Sequence, residues 1–262
     1  MYRLALAILL SITVAAPAQD WAKAKLEKSS RHGEWVKLKH DKREVEAFVV
    51  YPEVKEKATA VVVIHEIFGL SDWVRLLADE LAEAGYIAIA PDLLSGVGPN
   101  GGGTKALGKD VGQKIRDLPP EQITADLNAA VDYVGKLPAA NGKVVVSGFC
   151  WGGSQSFRFA TNNKSIKGVY SFYGTPVDKA DDAAKINCPV YGFYAENDMR
   201  INASVPKATE AMKAAGKTYE PVTYDGGGHG FMRAGDDPNG TAGNKKARED
   251  AWKRWKELLK KV

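Results

Sequence analysis

The chain is predicted to fold as a doubly wound, mainly parallel α/β sheet with an N-terminal antiparallel edge hairpin, and three observations predict it. Short β-branched runs alternate with helix-period segments from about residue 60 to the end. Several of those runs, such as Ala60-Val61-Val62-Val63-Ile64, are apolar throughout, as strands covered on both faces must be. The two runs before them alternate instead, which suits strands with one wet face.

In chain order, Met1–Ala18 stands apart from the fold. Arg3, the apolar run Leu4–Val14 and the small-residue site Ala16-Pro17-Ala18 read as a secretory signal released before Gln19, so the mature chain is expected to be secreted or periplasmic. No later apolar run is long enough to span a membrane. Residues 19–262 then form a single domain, with a charged leader over 20–31 of unassigned structure. Glu34–Lys39 and Val45–Tyr51 are read as the edge hairpin. A helix follows from Ser71 to Ala84, closed by Gly85, then the strand Tyr86–Pro91 and the helix Glu121–Leu137. Val144–Phe149 is a strand leading into a helix from Gly152 to Thr161. Strands at Ile166–Tyr173, Pro189–Tyr194 and Tyr219–Tyr224, a helix at Ser204–Ala215 and an amphipathic helix at Lys245–Lys260 complete the pattern. Two polar stretches, Ser95–Thr104 and Gly235–Asn244, read as loops. The first follows a strand's C-terminal end, where open α/β sheets bind ligands.

A formal charge of +4 without a basic stripe argues against a nucleic-acid partner. The two cysteines, Cys150 and Cys188, follow and precede their strands respectively. In a parallel sheet they lie a strand length apart, about 17–20 Å, against a bridging limit near 7 Å. Two free thiols are expected, Cys188 being structural.

Chemistry concentrates on Gly148-Phe149-Cys150-Trp151-Gly152-Gly153. A strand that breaks on glycine and delivers a cysteine into a helix start has the form of a nucleophile elbow: small residues two before and two after let the elements pack closely and push the sulfur outward. The helix dipole there favours thiolate, and the next N–H can bind an oxyanion. A thiol needs a base and the base an orienting group. His229, among glycines after the last strand, fits the base; Asp198, after the penultimate strand, fits the orienter, with Glu196 as the alternative. The order nucleophile, acid, histidine is that of the α/β-hydrolase fold. His65-Glu66-Ile67-Phe68-Gly69 begins like a zinc motif but has Gly69 where a second histidine belongs, so no metal is expected. In this fold the loop supplies the second oxyanion donor, which points to the Ile67 N–H beside that of Trp151.

Together these four segments resemble the dienelactone hydrolase family. The resemblance implies a Cys150, His229, Asp198 triad acting on an ester or lactone through an acyl-enzyme. It also implies that Glu66 holds the resting thiol until substrate displaces it. We expect the same carboxylate to shield the sulfur from oxidation. Arg233 matches one of the family's two carboxylate-gripping arginines. The other is absent from Leu94-Ser95-Gly96, and Arg116 is a candidate replacement. Phe68, Trp73, Trp151, Tyr173 and Phe231 are candidates to line an apolar acyl pocket. No cofactor is expected, the partner is a small-molecule substrate, and a monomer is the default. The competing readings are a non-catalytic secreted binding protein on the same shell and a glutamine-amidotransferase-like amidase. The latter would require His-x-Glu, whereas His229 is followed by Gly230 and Phe231.

Overall fold

The computed structural model describes residues 19–262, so the predicted secretory signal lies outside the described residues. The elements run α1 (Asp20–Leu26), β1 (Gly33–His40), β2 (Arg43–Val50), β3 (Ala58–Ile64), α2 (Asp72–Glu83), β4 (Ile87–Pro91), α3 (Thr104–Leu107), α4 (Val111–Lys114), α5 (Pro120–Gly135) and β5 (Ala140–Phe149). They continue with α6 (Trp151–Ala160), β6 (Val169–Phe172), α7 (Ala180–Ala183), β7 (Val190–Ala195), α8 (Met199–Asn202), α9 (Val205–Ala214), β8 (Tyr219–Tyr224), α10 (Phe231–Ala234) and α11 (Ala242–Leu259).

The strands form one eight-stranded sheet in the order β1-β2-β4-β3-β5-β6-β7-β8. Strand β2 is antiparallel to both neighbours, and every pairing from β4 across to β8 is parallel. The expected hairpin is therefore also the joint between the two parts of a mixed sheet. Every residue of β3 is buried, and its alternate side chains feed two cores. Val62 and Ile64 join Ile123, Leu127 and Val131 of α5, Phe157 of α6 and Met212 of α9 on one face. Val61 and Val63 join Trp73, Leu77 and Leu81 of α2 with Trp255 of α11 on the other. The uninterrupted apolar run thus does what its composition requires, burying both pleat faces beneath helices.

Two stretches hold more structure than the sequence showed. The charged leader contains α1, whose Ala22 is fully buried against the α2 side of the sheet. The glycine-rich Ser95–Thr104 stretch is pinned rather than free. The Asp92 carboxylate accepts bonds from Leu94 N (3.1 Å), Thr104 N (2.7 Å) and Thr104 Oγ1 (2.7 Å). The Thr104 hydroxyl in turn accepts from Leu70 N at 3.0 Å, tying this loop to the one after β3. Both cysteines are free thiols and half-buried.

Candidate active site

Because β3, β5, β7 and β8 run parallel, the residues that leave their C-terminal ends, Glu66, Cys150, Asp198 and His229, emerge along one rim. Cys150 occupies the tight turn between β5 and α6 at φ 56° and ψ −116°. A β-carbon on Gly148 would stand 1.9 Å from the Gly152 oxygen. One on Gly152 would stand 2.3 Å from the Ile64 oxygen, and one on Gly153 2.6 Å from the Phe172 oxygen. These glycines are required because backbone occupies the space a side chain would need, which is what holds a non-glycine residue in left-handed backbone at Cys150.

His229 stands between the other two groups. Its Nε2 is 3.1 Å from Cys150 Sγ, and its Nδ1 is 2.5 Å from Asp198 Oδ2. Burial opposes protonation of the imidazole, but the Cys150 sulfur and the Asp198 carboxylate outweigh it and raise its pKa to about 9. Its side chain remains 34% exposed, while that of Asp198 is 6% exposed, so solvent reaches the histidine and sulfur but not the carboxylate. Asp198 is fixed as the N-cap of α8, accepting from Ile201 N. Glu196, the alternative orienter, is engaged elsewhere: its Oε2 accepts from Gly226 N at 2.7 Å and holds the histidine turn. Asn244 Oδ1 accepts from Gly228 N at 2.8 Å and completes that support. Asn244 falls in a stretch whose sequence reads only as a polar loop.

Glu66 does not hold the thiol. Its Oε2 accepts from Arg233 Nε at 2.6 Å, with the carboxylate side chain 3% exposed, and the sulfur is turned to His229. A buried carboxylate is stabilised far more by a guanidinium than by a neutral thiol, which accounts for the difference from expectation. The expected shielding of the sulfur by Glu66 is likewise not the arrangement observed. Arg233 also lies over the Phe68 ring, 5.0 Å from its centroid. Burial would lower its pKa, but the Glu66 charge and hydrogen bond raise it overall.

His65 is a fastening. It is fully buried, and burial lowers its pKa, keeping the ring neutral. Nδ1 lies 2.9 Å from the Glu66 carbonyl and Nε2 accepts from Leu93 N at 3.4 Å, so one tautomer serves both contacts. Its ring stacks on Trp151 at 5.6 Å, bracing the two loops that carry the expected oxyanion donors. Among the described residues neither the Ile67 nor the Trp151 N–H is spent on a protein acceptor.

The aromatic candidates divide. Phe68 and Trp151 are half-buried at the rim. Trp73, Tyr173 and Phe231 have no exposed surface, so they form the wall behind the site rather than its accessible lining. Tyr173, at φ 40°, packs edge-on to both His229 and Phe231. Burial, reinforced by the neighbouring Glu66 charge, holds its phenol protonated. Arg116 is exposed and donates to Gly112 O of its own helical segment, so it does not take the place of a second arginine at this rim. Concavities of about 240 and 480 Å³ elsewhere on the surface include none of these groups. Convergent chemistry, not cavity size, marks the site.

Comparison with known proteins identifies the family. Residues 45–262 match the dienelactone hydrolase family. Among curated relatives, a provisionally named carboxymethylenebutenolidase of Methylorubrum extorquens is 32% identical over 205 residues, 74% of this chain and 69% of its own. One from Saccharolobus solfataricus is 31% identical over 85% of this chain and 96% of its own. Among solved structures, a provisionally named dienelactone hydrolase of Klebsiella pneumoniae superposes with a TM-score of 0.78 at 24% identity. It covers 89% of this chain and all of its own, and at that identity it speaks for the fold alone. With matched residues spanning β3 through α11, the elbow, the acidic turn and the histidine turn included, the chain belongs to the dienelactone hydrolase family and is a hydrolase acting on an ester or lactone bond.

Proposed function

We propose that the chain is an exported, cysteine-dependent hydrolase that cleaves a small ester or lactone through an acyl-enzyme, with Cys150 as nucleophile, His229 as acid and base, and Asp198 as orienter. The observation that carries the reading is the continuous contact from sulfur through imidazole to carboxylate, at 3.1 and 2.5 Å. The Cys150 proton passes to Nε2, and the sulfur attacks the substrate carbonyl carbon. The oxyanion is met by the N–H groups of Ile67 and Trp151. As the tetrahedral adduct collapses, the imidazolium gives its proton to the departing alkoxide; for a lactone this opens the ring and leaves the chain tethered to sulfur. Water, deprotonated by His229, then attacks the thioester and frees the carboxylic acid. Asp198 keeps Nδ1 protonated so that Nε2 faces sulfur.

Glu66 and Arg233 act around this core. A substrate that engages Arg233 loosens its ion pair with Glu66, whose carboxylate starts on the guanidinium here and not, as the family resemblance implies, on the thiol. Phe68 and Trp151 offer apolar surface to the acyl group. The composition of Met1–Ala18 supports removal before Gln19 in a secretory route, leaving 19–262 to work as one monomeric domain in the periplasm or outside the cell.

One experiment addresses these points. Protein recovered outside the cytoplasm is weighed by mass spectrometry and assayed on short nitrophenyl esters beside Cys150→Ala. A mass beginning at Gln19 and loss of turnover by about 10³-fold or more in the variant are expected. Equal turnover in both proteins would remove the cysteine mechanism, protein found only in the cytoplasm would remove the export claim, and an exported mass beginning at Met1 would remove the cleavage site.

A further inference from the structure

The segment ahead of the hairpin lies outside the family match, which begins at residue 45, yet it reaches both sides of the candidate site. Gln19 Oε1 accepts from Trp73 N at 2.8 Å, capping the first turn of α2. That turn directly follows the Glu66–Leu70 loop. Ala22 is fully buried, and Trp21 and Leu26 pack against the same core as α2 and α11. Beyond the helix, Ser29 Oγ and Arg31 grip the buried Asp79 of α2, the guanidinium with bonds of 3.0 and 2.6 Å.

The second reach is ionic. Lys25 Nζ donates to Asp236 Oδ1 at 2.8 Å, and the Asp236 side chain is only 4% exposed. Asp236 N donates to the Arg233 carbonyl, so this carboxylate anchors the end of the short helix that presents Arg233 to Glu66. The other cation near Asp236 is Arg248, at 3.4 Å, whose Nη2 is already committed to both oxygens of Glu80 at 2.8 and 2.7 Å. The second Asp236 oxygen has no hydrogen-bond partner among the described residues. Take Lys25 away and a nearly buried carboxylate keeps one longer, shared contact. The cheapest relief is for the turn after α10 to move toward water, and Arg233 moves with it.

We propose that α1 is a strap that sets the geometry of the hydrolytic site from behind, with Gln19 and Lys25 as its positioning residues: Gln19 holds the α2 turn below the Glu66–Leu70 loop, and Lys25 holds the Arg233 helix through Asp236. The proposal rests on the reading of that rim as the hydrolytic site. Neither residue touches substrate. Each acts through an element that carries a group which does.

The test compares Lys25→Met, Lys25→Arg and Gln19→Ala in the full chain, with Lys23→Met as control because Lys23 only meets Glu27 across 3.7 Å on the exposed face of α1. Ester kinetics, thermal midpoint and amide exchange over 66–73 and 230–237 are measured together. Lys25→Met should lower kcat/KM about tenfold, as a modest displacement of a substrate-contacting group does. The loss should fall mainly on KM and be accompanied by faster exchange over 230–237. Lys25→Arg should restore both to within about twofold of wild type. Gln19→Ala should speed exchange over 66–73. If Lys25→Met lowers the thermal midpoint while kinetics and exchange over 230–237 stay as in wild type, or if Lys23→Met has the same effect, the strap is a packing element only and the proposal falls. If turnover does not depend on Cys150, the reading of the site fails separately. Exchange then decides alone: unchanged rates over both segments in Lys25→Met and Gln19→Ala overturn the strap, and the expected accelerations uphold it.

Discussion

Two thiols in one chain give a direct comparison of what environment does to sulfur. Cys188 sits before β7 among apolar neighbours, and burial pushes its thiol up to about 11. Cys150 sits at a helix N-terminus with an imidazole 3.1 Å away. Since thiolate is the species that alkylates and burial holds the Cys188 thiol protonated, iodoacetamide at pH 7.5 should modify the rim cysteine at least about 100-fold faster than Cys188. His229→Asn should slow the Cys150 reaction about tenfold or more. Peptide mapping that finds Cys188 labelled first would contradict the assignment. At this scale the sequence was most informative, because glycines around Cys150 and His229 advertise turns where bulky residues cannot go. It was least informative about partnership. Glu66 and Arg233 could each be singled out as functional, but nothing in a linear string pairs two residues 167 positions apart. The expected thiol contact gave way to the stronger ionic one.

At the scale of elements, the elbow works because β3, β5 and α6 approach to backbone contact. Gly152→Ala puts a methyl group 2.3 Å from the Ile64 oxygen and 2.4 Å from the His65 oxygen. Backbone on a central strand cannot swing aside as a side-chain tip would. A loss of about 3 kcal/mol in urea unfolding is expected, with esterase activity falling further than stability because the displaced segment leads into the loop proposed to bind the oxyanion. Gly142→Ala serves for contrast: its φ of 82° strains an alanine but nothing lies within 4 Å, so about 1 kcal/mol and unchanged activity are expected. If the two variants unfold at the same urea concentration, close packing is not what fixes the elbow. Regular elements were legible to within a few residues because their apolar periods are long. The pinned loop over 95–104 was not. Its order comes from Asp92 and Thr104, two ordinary turn residues whose bonds appear only once β4 brings them together.

For the whole molecule, alternation of strands and helices predicted a parallel sheet, but not that β3 would lie between β4 and β5, nor that β2 would join hairpin to sheet. Apolar composition says that a strand is covered on both faces and is silent on its neighbours. The consequence of that order is a rim where groups from the ends of β5, β7 and β8 exist together only in the folded state, so protonation at the rim is linked to global stability. His229 is the clearest case. Burial works against its charged form, yet Cys150 and Asp198 lift its pKa from 6.5 to about 9. A group whose pKa is higher in the folded than in the unfolded chain contributes stability that is complete below the unfolded value. That contribution drains as pH rises toward and through the folded one. Between pH 6.5 and 9.5, then, the wild-type thermal midpoint should fall more steeply than that of His229→Gln, the curves separating on the acid side and converging on the alkaline side. Groups that titrate in both proteins cancel in the difference. Parallel curves over that range would mean that the imidazole keeps an ordinary pKa in the folded chain. A separation confined to the acid side, with kcat/KM falling above pH 9 as the imidazolium loses the proton it must give to the leaving alkoxide, would tie the same ionisation to both folding and turnover.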